Sequence, residues 1–336
     1  MSVGIDIGSK SIKIVELDKQ GSSWAIRGSG IVGYSGTPAE HIKDEKEMQS
    51  LGQVIKNLHK EARISGNNVS IALPEPQVFT RTIRFPLLTD QEIASAVKWE
   101  AEQYIPIPLS EAIVEHQIIE RKENTTPPEV VVLLVAVPQA LVEKYIKIVS
   151  YAGLSVVSVE TEMTSLVRCL APEGQVVLLV DFGAGSTDIA IAKNGNLVFS
   201  RSIPTAGDAF TRAVAQNLGI EYAQAEEYKK TYGLTANLEG KIKGALDPVI
   251  RMVTDEIKKA IHFYQTEEKE ETPKSVIISG GTAGMPEVTS VLTRALNMEV
   301  VMGNSFSKIS VDTKLAQSLA NYGPLYSIAV GLAMRE

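Results

Sequence analysis

The sequence of 336 residues has little of the chemistry that marks several large classes of protein. Its one cysteine, Cys169, lies in an apolar periodic segment, so a disulfide framework or a zinc cluster within one chain is excluded. We expect Cys169 to be a buried core residue of a protein in a reducing cytosol. The four histidines show no metal-ligand spacing.

Long hydrophobic runs are also missing. The longest, from Val130 to Val137, is far shorter than the ~20 residues that cross a bilayer, and it predicts a buried strand. The start of the chain, Met1 to Asp6, lacks the charged and apolar regions of a signal peptide. We therefore expect a cytoplasmic protein for which any association with a membrane comes through a partner.

Positive charge is scarce. The formal net charge is −7 and no long run of lysine or arginine occurs, which argues against a nucleic-acid partner. The chain also lacks the G-x-x-x-x-G-K-[ST] pattern of a P-loop. The glycine cluster from Gly280 to Gly284 has the wrong spacing, and comes too late, for a dinucleotide-binding fingerprint.

Apolar periodicity predicts an α/β protein with more than one core, because the chain exceeds the usual size of a single core. Strand-like alternation opens the chain as a three-stranded meander. Thr89 and Glu92 predict a capping box at the start of a helix that ends at the prolines after Tyr104. Helices are predicted from Asp208 to Gln265 with breaks near Gly233 and Gly244. Another is predicted from Met285 to Leu296.

An internal repeat is the main clue to function. The segment from Ile5 to Ile14 aligns with the segment from Val180 to Ile189, an offset of 181 − 6 = 175 residues. Each copy has an aspartate at the end of an apolar strand, then a glycine and a hydroxyl residue, then a second strand. Such a recurrence at half the chain length predicts two similar domains that face each other.

The repeated turn suits a polyphosphate. A glycine lets backbone N–H groups approach phosphate oxygens closely, and serine or threonine hydroxyls add donors. Asp6 and Asp181 would repel phosphate directly, but they can hold a hydrated Mg²⁺ that bridges phosphates. Two opposed hairpins would therefore bind a polyphosphate with Mg²⁺ between the domains.

At these motifs the sequence resembles the actin-like ATPase superfamily, whose ribonuclease H-like fold has two domains. The first hairpin is similar to its phosphate-1 loop, the second to its phosphate-2 loop, and Ser279 to Gly284 to its adenosine loop. Ala225 to Lys229 resembles its A-E-x-x-K helix. Ala206 to Thr211 resembles a Gly-Gly segment of the family in which Ala206 replaces the first glycine.

The resemblance implies site residues for ATP and Mg²⁺. The nucleotide-binding residues would be Gly8, Ser9, Lys10, Ser11, Lys13, Gly183, Gly185, Ser186, Thr187, Gly207, Glu226, Lys229, Gly280, Gly281, Thr282 and Met285. Asp6 and Asp181 would order the hydration shell of Mg²⁺. The catalytic residues would be Asp181 and Glu160, which lies with Glu162 in the segment that positions the attacking water in the superfamily. We expect weak or no ATPase activity.

Within the superfamily, the segment from Lys98 to Pro106 resembles the helix-and-proline signature of the PilM family. An insertion between Val69 and Val159 resembles subdomain 1C, which PilM and FtsA share. FtsA is disfavoured because it continues into a membrane helix, whereas this sequence stops at Glu336. The resemblance implies a component of the type IV pilus inner-membrane platform that binds the cytoplasmic N-terminal peptide of a PilN-like protein.

The resemblance also implies four subdomains and leaves rivals open. Subdomain 1A would comprise 1–84, 159–175 and 323–336, subdomain 1C 85–158, subdomain 2A 176–206 and 274–322, and subdomain 2B 207–273. The alternative function is a filament-forming FtsA-like or MreB-like ATPase of cell division or shape. A sugar or small-acid kinase is a third reading, but it needs a further catalytic aspartate that the sequence does not offer.

Overall fold

The computed structural model describes residues 1–21, 23–266, 271–311, 319 and 322–335. The strands in this part of the chain are β1 (Ser2–Ile7), β2 (Ser11–Gln20), β3 (Ser23–Gly33), β4 (Asn68–Leu73), β5 (Phe79–Pro86), β6 (Ala112–Lys122), β7 (Glu129–Pro138), β8 (Ser155–Thr161), β9 (Val176–Phe182), β10 (Thr187–Lys193), β11 (Asn196–Ile203), β12 (Ser275–Ser279), β13 (Glu299–Met302) and β14 (Ile309–Ser310). The helices are α1 (Glu45–Glu61), α2 (Asp90–Tyr104), α3 (Gln139–Tyr151), α4 (Glu162–Leu170), α5 (Gly207–Leu218), α6 (Tyr222–Tyr232), α7 (Lys241–Thr266), α8 (Val288–Leu296) and α9 (Ser327–Ala333).

Two large sheets carry the repeated hairpins. The first has the strand order β14-β3-β2-β1-β4-β8, and the second has the order β11-β10-β9-β12-β13. In each sheet an antiparallel meander is followed by a parallel strand beside its first member, β4 beside β1 and β12 beside β9. The predicted repeat is thus present as two sheets of matching topology.

Three apolar cores hold these layers together. Helices α1 and α3 cover one face of the first sheet, and helices α5 to α8 cover one face of the second. Between the two sheets lie α4 and α9, whose buried side chains join residues from β2, β9 and β10 in a shared core. The central helices therefore fix the two repeated hairpins relative to each other.

Close backbone approaches pin α9 in this layer. A Cβ atom on Gly331 would fall against the backbone of Ser165 in α4, well inside van der Waals distance. One on Gly4 in β1 would collide with the backbone of Ala329 and Ala333. Since only glycine permits such contact, α9 is held between α4 and the first sheet.

A small third sheet has the order β5-β7-β6, with the helix α2 packed on it, and its edge strand β5 contacts β11 of the second sheet. Sheet membership assigns Phe79–Pro86 to this small sheet and Ser155–Thr161 to the first large sheet. A division by sheets would therefore place the inserted unit near residues 79 to 138. The four-subdomain borders remain a prediction.

Several local predictions can be compared with the structure. The capping box of Thr89 and Glu92 is confirmed at the start of α2. The predicted break near Gly244 is wrong, because α7 runs through it and buries apolar side chains on both sides of that residue, which outweighs the ~1 kcal/mol penalty of an interior glycine. Helix α8 begins at Val288 rather than Met285, since Glu287 has a left-handed φ of 64°. Among the described residues, no helix could cross a bilayer.

Candidate functional site

A cleft of about 900 Å³ opens between the two repeated hairpins. This volume lies in the range of small-molecule sites. The predicted site residues that line it are Asp6, Gly8, Ser9, Lys10, Ser11, Lys13, Asp181, Gly183, Gly185, Ser186, Gly207, Glu226, Lys229, Gly280, Gly281, Thr282 and Met285. The fold thus brings residues separated by up to 279 positions, from Asp6 to Met285, into one cavity.

Two predicted residues lie elsewhere. Thr187 is fully buried, and its hydroxyl donates to the carbonyl of Thr205 at 2.7 Å. Glu160 is not part of the cleft wall. Its carboxylate accepts hydrogen bonds of 2.7 and 2.8 Å from the Arg168 guanidinium and a further one from Arg335. Glu160 therefore anchors α4 and the chain after α9, and this geometry does not support a role in positioning water.

Strand register explains how the acidic residues converge. In the first hairpin Asp6 lies opposite Lys13, and the two form an ion pair of 3.0 Å. In the second hairpin Asp181 lies opposite Asp188. Directly opposed side chains in an antiparallel pair share one face of the sheet, so the second hairpin presents two carboxylates side by side.

The pKa values of the two opposed carboxyls in the second hairpin are raised above their ordinary range. Burial, together with the charges of Asp188 and Asp6, raises the pKa of Asp181 to about 7. Burial also raises the pKa of Asp188 to about 6. Opposed carboxylates are destabilising by themselves and favour a proton or a cation between them.

These carboxylates fit Mg²⁺ of the kind that binds with a nucleotide. Such an ion keeps several waters and takes one or two protein carboxylates besides the phosphates. Within the described residues no group of three or more histidine, cysteine, aspartate or glutamate side chains that could hold a metal by themselves is gathered. Buried Asp6 and Asp181 both line the cleft from facing hairpins.

Glu162 lines the cleft in place of Glu160. It is the first residue of α4, where Thr161 caps the helix by accepting from the Thr164 N–H. The Glu162 carboxylate accepts the backbone N–H of Glu75 at 3.0 Å. Burial, reinforced by the charges of Asp188 and Asp6, raises the pKa of Glu162 well above its ordinary value.

The second turn and the adenosine-like loop approach each other closely at two glycines. A Cβ on Gly207 would lie 2.9 Å from the Thr282 hydroxyl and 3.1 Å from the Gly183 carbonyl. Gly280 has a φ of 86°, and its Cβ would strike the backbone of Phe182. Both positions require glycine because three backbone segments meet at the wall of the cleft.

A network from α6 closes the side of the cleft. The Lys229 ammonium, which is 6% exposed, contacts the Glu226 carboxylate at 2.7 Å, the Thr211 hydroxyl at 2.9 Å and the Gly207 carbonyl at 3.1 Å. Burial lowers the pKa of Lys229. The Glu226 pKa is also lowered: burial opposes this shift, but hydrogen bonds from Lys229 and Thr211 prevail. Lys229 thus supports the backbone at the start of α5.

One ion pair crosses the cleft. Lys10 of the first turn lies 3.5 Å from Asp208 at the start of α5, and Asp208 also accepts the Tyr222 hydroxyl at 2.6 Å. Lys10 is about half exposed, so this contact is worth little by itself. Lys10 therefore places a positively charged group on the cleft wall, where it can attract an anionic ligand.

Comparisons with known proteins agree with this architecture. The family model described as "Type IV pilus assembly protein PilM" matches residues 4–336. A solved structure, "PilM-PilN type IV pilus biogenesis complex", is similar with a TM-score of 0.84 and 27% identity, covering 99% of this chain and 98% of that one.

More distant relatives share the fold. MreB 5 of Spiroplasma citri bound to AMPPNP matches with a TM-score of 0.53 and 14% identity, over 98% of this chain and 93% of that chain. The cell division protein FtsA of Pseudomonas aeruginosa is 25% identical, over 99% of this chain and 88% of its own length. The fold is therefore that of the actin-like ATPases.

Proposed function

This chain belongs to the family of the type IV pilus assembly protein PilM, and we propose that it acts there as an ATP- and Mg²⁺-binding adaptor of the inner-membrane assembly platform. The observation that carries the proposal is the convergence of the two repeated hairpins on one cleft, with Asp6 and Asp181 on facing walls. Its family membership makes pilus assembly the setting in which that cleft is used.

The geometry supports a nucleotide bound with its phosphates between the hairpins. Lys10 and Lys13 supply positive charge on one side, and the glycine turn from Gly183 to Gly185 offers backbone on the other. The opposed carboxylates Asp181 and Asp188 would be relieved by Mg²⁺ at the phosphates. Bound Mg²⁺ would neutralise phosphate charge.

Weak turnover follows from the same residues. Hydrolysis needs a group that orients or activates water. Glu160 is held by two arginines, and the Glu162 carboxylate already accepts the Glu75 N–H. Because protein donors engage both carboxylates, we infer a nucleotide-loaded state that lasts long compared with a fast ATPase cycle.

The partner in this proposal is the cytoplasmic N-terminal peptide of a PilN-like protein. Support comes from the similar structure, which is a complex of PilM with PilN and matches over nearly the full length of both chains. Binding such a peptide would place this protein in the cytoplasm at the inner membrane, attached through its partner.

A titration tests both halves of the proposal. The protein is titrated into a fluorescent ATP analogue, once in Mg²⁺ and once in EDTA. It is then titrated into the PilN-like peptide with and without Mg·ATP, and phosphate release is measured in parallel. Mg²⁺-dependent ATP binding, peptide binding and slow release are expected. Rapid release without a partner would refute the adaptor role, and sedimentation of the protein with ATP alone would favour a filament-forming ATPase.

A further inference from the structure

The connection between the first large sheet and the small sheet runs along the cleft. After β4, a short 3₁₀ turn from Glu75 to Gln77 leads into β5. Pro74, Pro76 and Gln77 line the cleft, whereas Glu75 is turned away from it and is 2% exposed. One turn of the chain therefore lines the cleft with three of its residues and carries the buried carboxyl of Glu75 on its other side.

Glu75 makes two bonds that join separate parts of the fold. Its backbone N–H donates to the Glu162 carboxylate on the cleft wall at 3.0 Å. Its side chain accepts a hydrogen bond from the Ser200 hydroxyl of β11. The Ser200 hydroxyl in turn contacts the Thr80 hydroxyl of β5. The chain of contacts runs from the cleft through Glu75 to the small sheet.

Ser200 and Thr80 lie in a seam between two edge strands. Strand β11 is the edge of the second sheet, and β5 is an edge of the small sheet. A second hydroxyl, on Thr82, donates across the seam to the Val198 carbonyl at 2.5 Å. A seam held by side-chain hydroxyls opens more easily than a continuous backbone ladder, because each contact contributes modestly to stability.

Several buried polar atoms around Glu75 and Ser200 lack hydrogen bonds to the described residues, which costs stability. One carboxylate oxygen of Glu75, one of Asp188 and the hydroxyl of Ser202 are buried and have no hydrogen-bond partner in the part of the chain that the structure describes, although the other oxygen of each carboxylate is bonded. Ser202 lies opposite Asp188 in the β10–β11 pair, and Ser200 is two residues away on the same face of β11. Each unsatisfied buried group is costly, so this polar patch is hard to explain by packing alone.

We propose that Glu75 is a positioning residue that, with Ser200, couples the state of the cleft to the docking of the small sheet on β11. A ligand that interacts with the carboxylate of Asp188 or Glu162 shifts Glu75. Glu75 then transmits that shift to Ser200 and Thr80 through their hydrogen bonds. The inference rests on the proposed function only in taking Mg·ATP as the ligand of the cleft.

Hydrogen exchange measured by mass spectrometry on the full chain tests the coupling. The variant Ser200→Ala removes the donor, Ser200→Thr restores a hydroxyl, and Ser95→Ala is the control, since Ser95 bonds only within α2. Without ligand, Ser200→Ala should exchange about three- to tenfold faster both in β5 and around Glu75 and Glu162, as expected for the loss of one hydrogen bond. Ser200→Thr and Ser95→Ala should match the wild type.

The same variants are then measured with Mg·ATP. In the wild type and in Ser200→Thr, the nucleotide should change exchange in β5. In Ser200→Ala it should still bind, because Ser200 lies outside the cleft wall, but the change in β5 should disappear. Faster exchange confined to the seam, or a retained response to nucleotide in Ser200→Ala, would overturn the proposal. If the wild type binds no ATP, the proposed function fails, and the ligand-free measurement still decides whether the link exists.

Discussion

Replacing Glu75 by glutamine should make the unfolding free energy less dependent on pH between about pH 5 and 8. Burial raises the pKa of this carboxyl from 4.5 to about 8, with a smaller contribution from the charge of Asp188. A carboxyl with a raised folded-state pKa stabilises the fold fully below its unfolded pKa, and that stability is lost as the pH rises through the folded value. Glutamine does not ionise, so the variant should lack this loss.

The size of the effect follows from the two pKa values. At about 1.4 kcal/mol for each pH unit, the interval from 4.5 to about 8 corresponds to about 5 kcal/mol. Relaxation around the ionised group reduces this, and the window from pH 5 to pH 8 covers only part of the interval, so we expect Glu75→Gln to gain about 2–3 kcal/mol over the wild type across that window. Urea unfolding at half-unit pH steps measures the difference directly.

Glu102→Gln is the matched control, since Glu102 is exposed on α2. It should keep the wild-type pH profile. Parallel profiles for wild type and Glu75→Gln from pH 5 to pH 8 would refute the reasoning, because they would mean that Glu75 has similar proton affinity in the folded and unfolded chain. A uniform loss of stability at every pH is also a parallel profile: it would report the cost of the amide alone and would refute the reasoning equally.

Other variants test separate parts of the structure. Asp181→Asn should weaken ATP binding in Mg²⁺ by about tenfold or more, measured by fluorescence titration, and should not weaken binding in EDTA, because it removes a charge that repels metal-free phosphate; equal losses in both would exclude a role with the metal. Gly331→Ala should destabilise the protein by about 3 kcal/mol in urea unfolding, because its Cβ meets the Ser165 backbone; an unchanged midpoint would contradict that packing. Thr89→Ala should cost about 1 kcal/mol through loss of the α2 cap, seen in the same assay, while Thr89→Ser should not.

The parts of the fold that the sequence predicted well are those set by local pattern. The two meanders follow from alternation and glycine turns, and the cap of α2 follows from Thr89 and Glu92. Gly244 shows where local pattern fails. A glycine weakens a helix by an amount that any single buried contact of α7 can offset, and which side chains become buried is a tertiary property.

The candidate site shows the same limit at the level of single residues. The repeat was enough to bring Asp6, Asp181 and the glycine turns to one cleft. It was not enough to choose between Glu160 and Glu162. Which of the two lines the cleft depends on Arg168 and Arg335, which hydrogen-bond the Glu160 carboxylate outside the cleft wall. Arg335 is far from Glu160 in sequence, so local pattern does not reveal this contact. Glu162 directly follows the cap Thr161 as the first residue of α4, and it lines the cleft.

The two copies of the repeat differ in charge at one equivalent position, so the two walls of the cleft are not electrostatically alike. The offset of 175 residues that relates Asp6 to Asp181 also relates Lys13 to Asp188, so the same strand position carries opposite charges in the two halves. The first hairpin pairs Asp6 with Lys13, and the second sets two carboxylates opposite each other. A bare phosphate would be attracted by Lys13 and repelled by Asp188. In the proposed function, a phosphate carrying Mg²⁺ would satisfy both only with its metal toward the second hairpin, so one exchange of residue type in an otherwise repeated motif would set the orientation of the ligand.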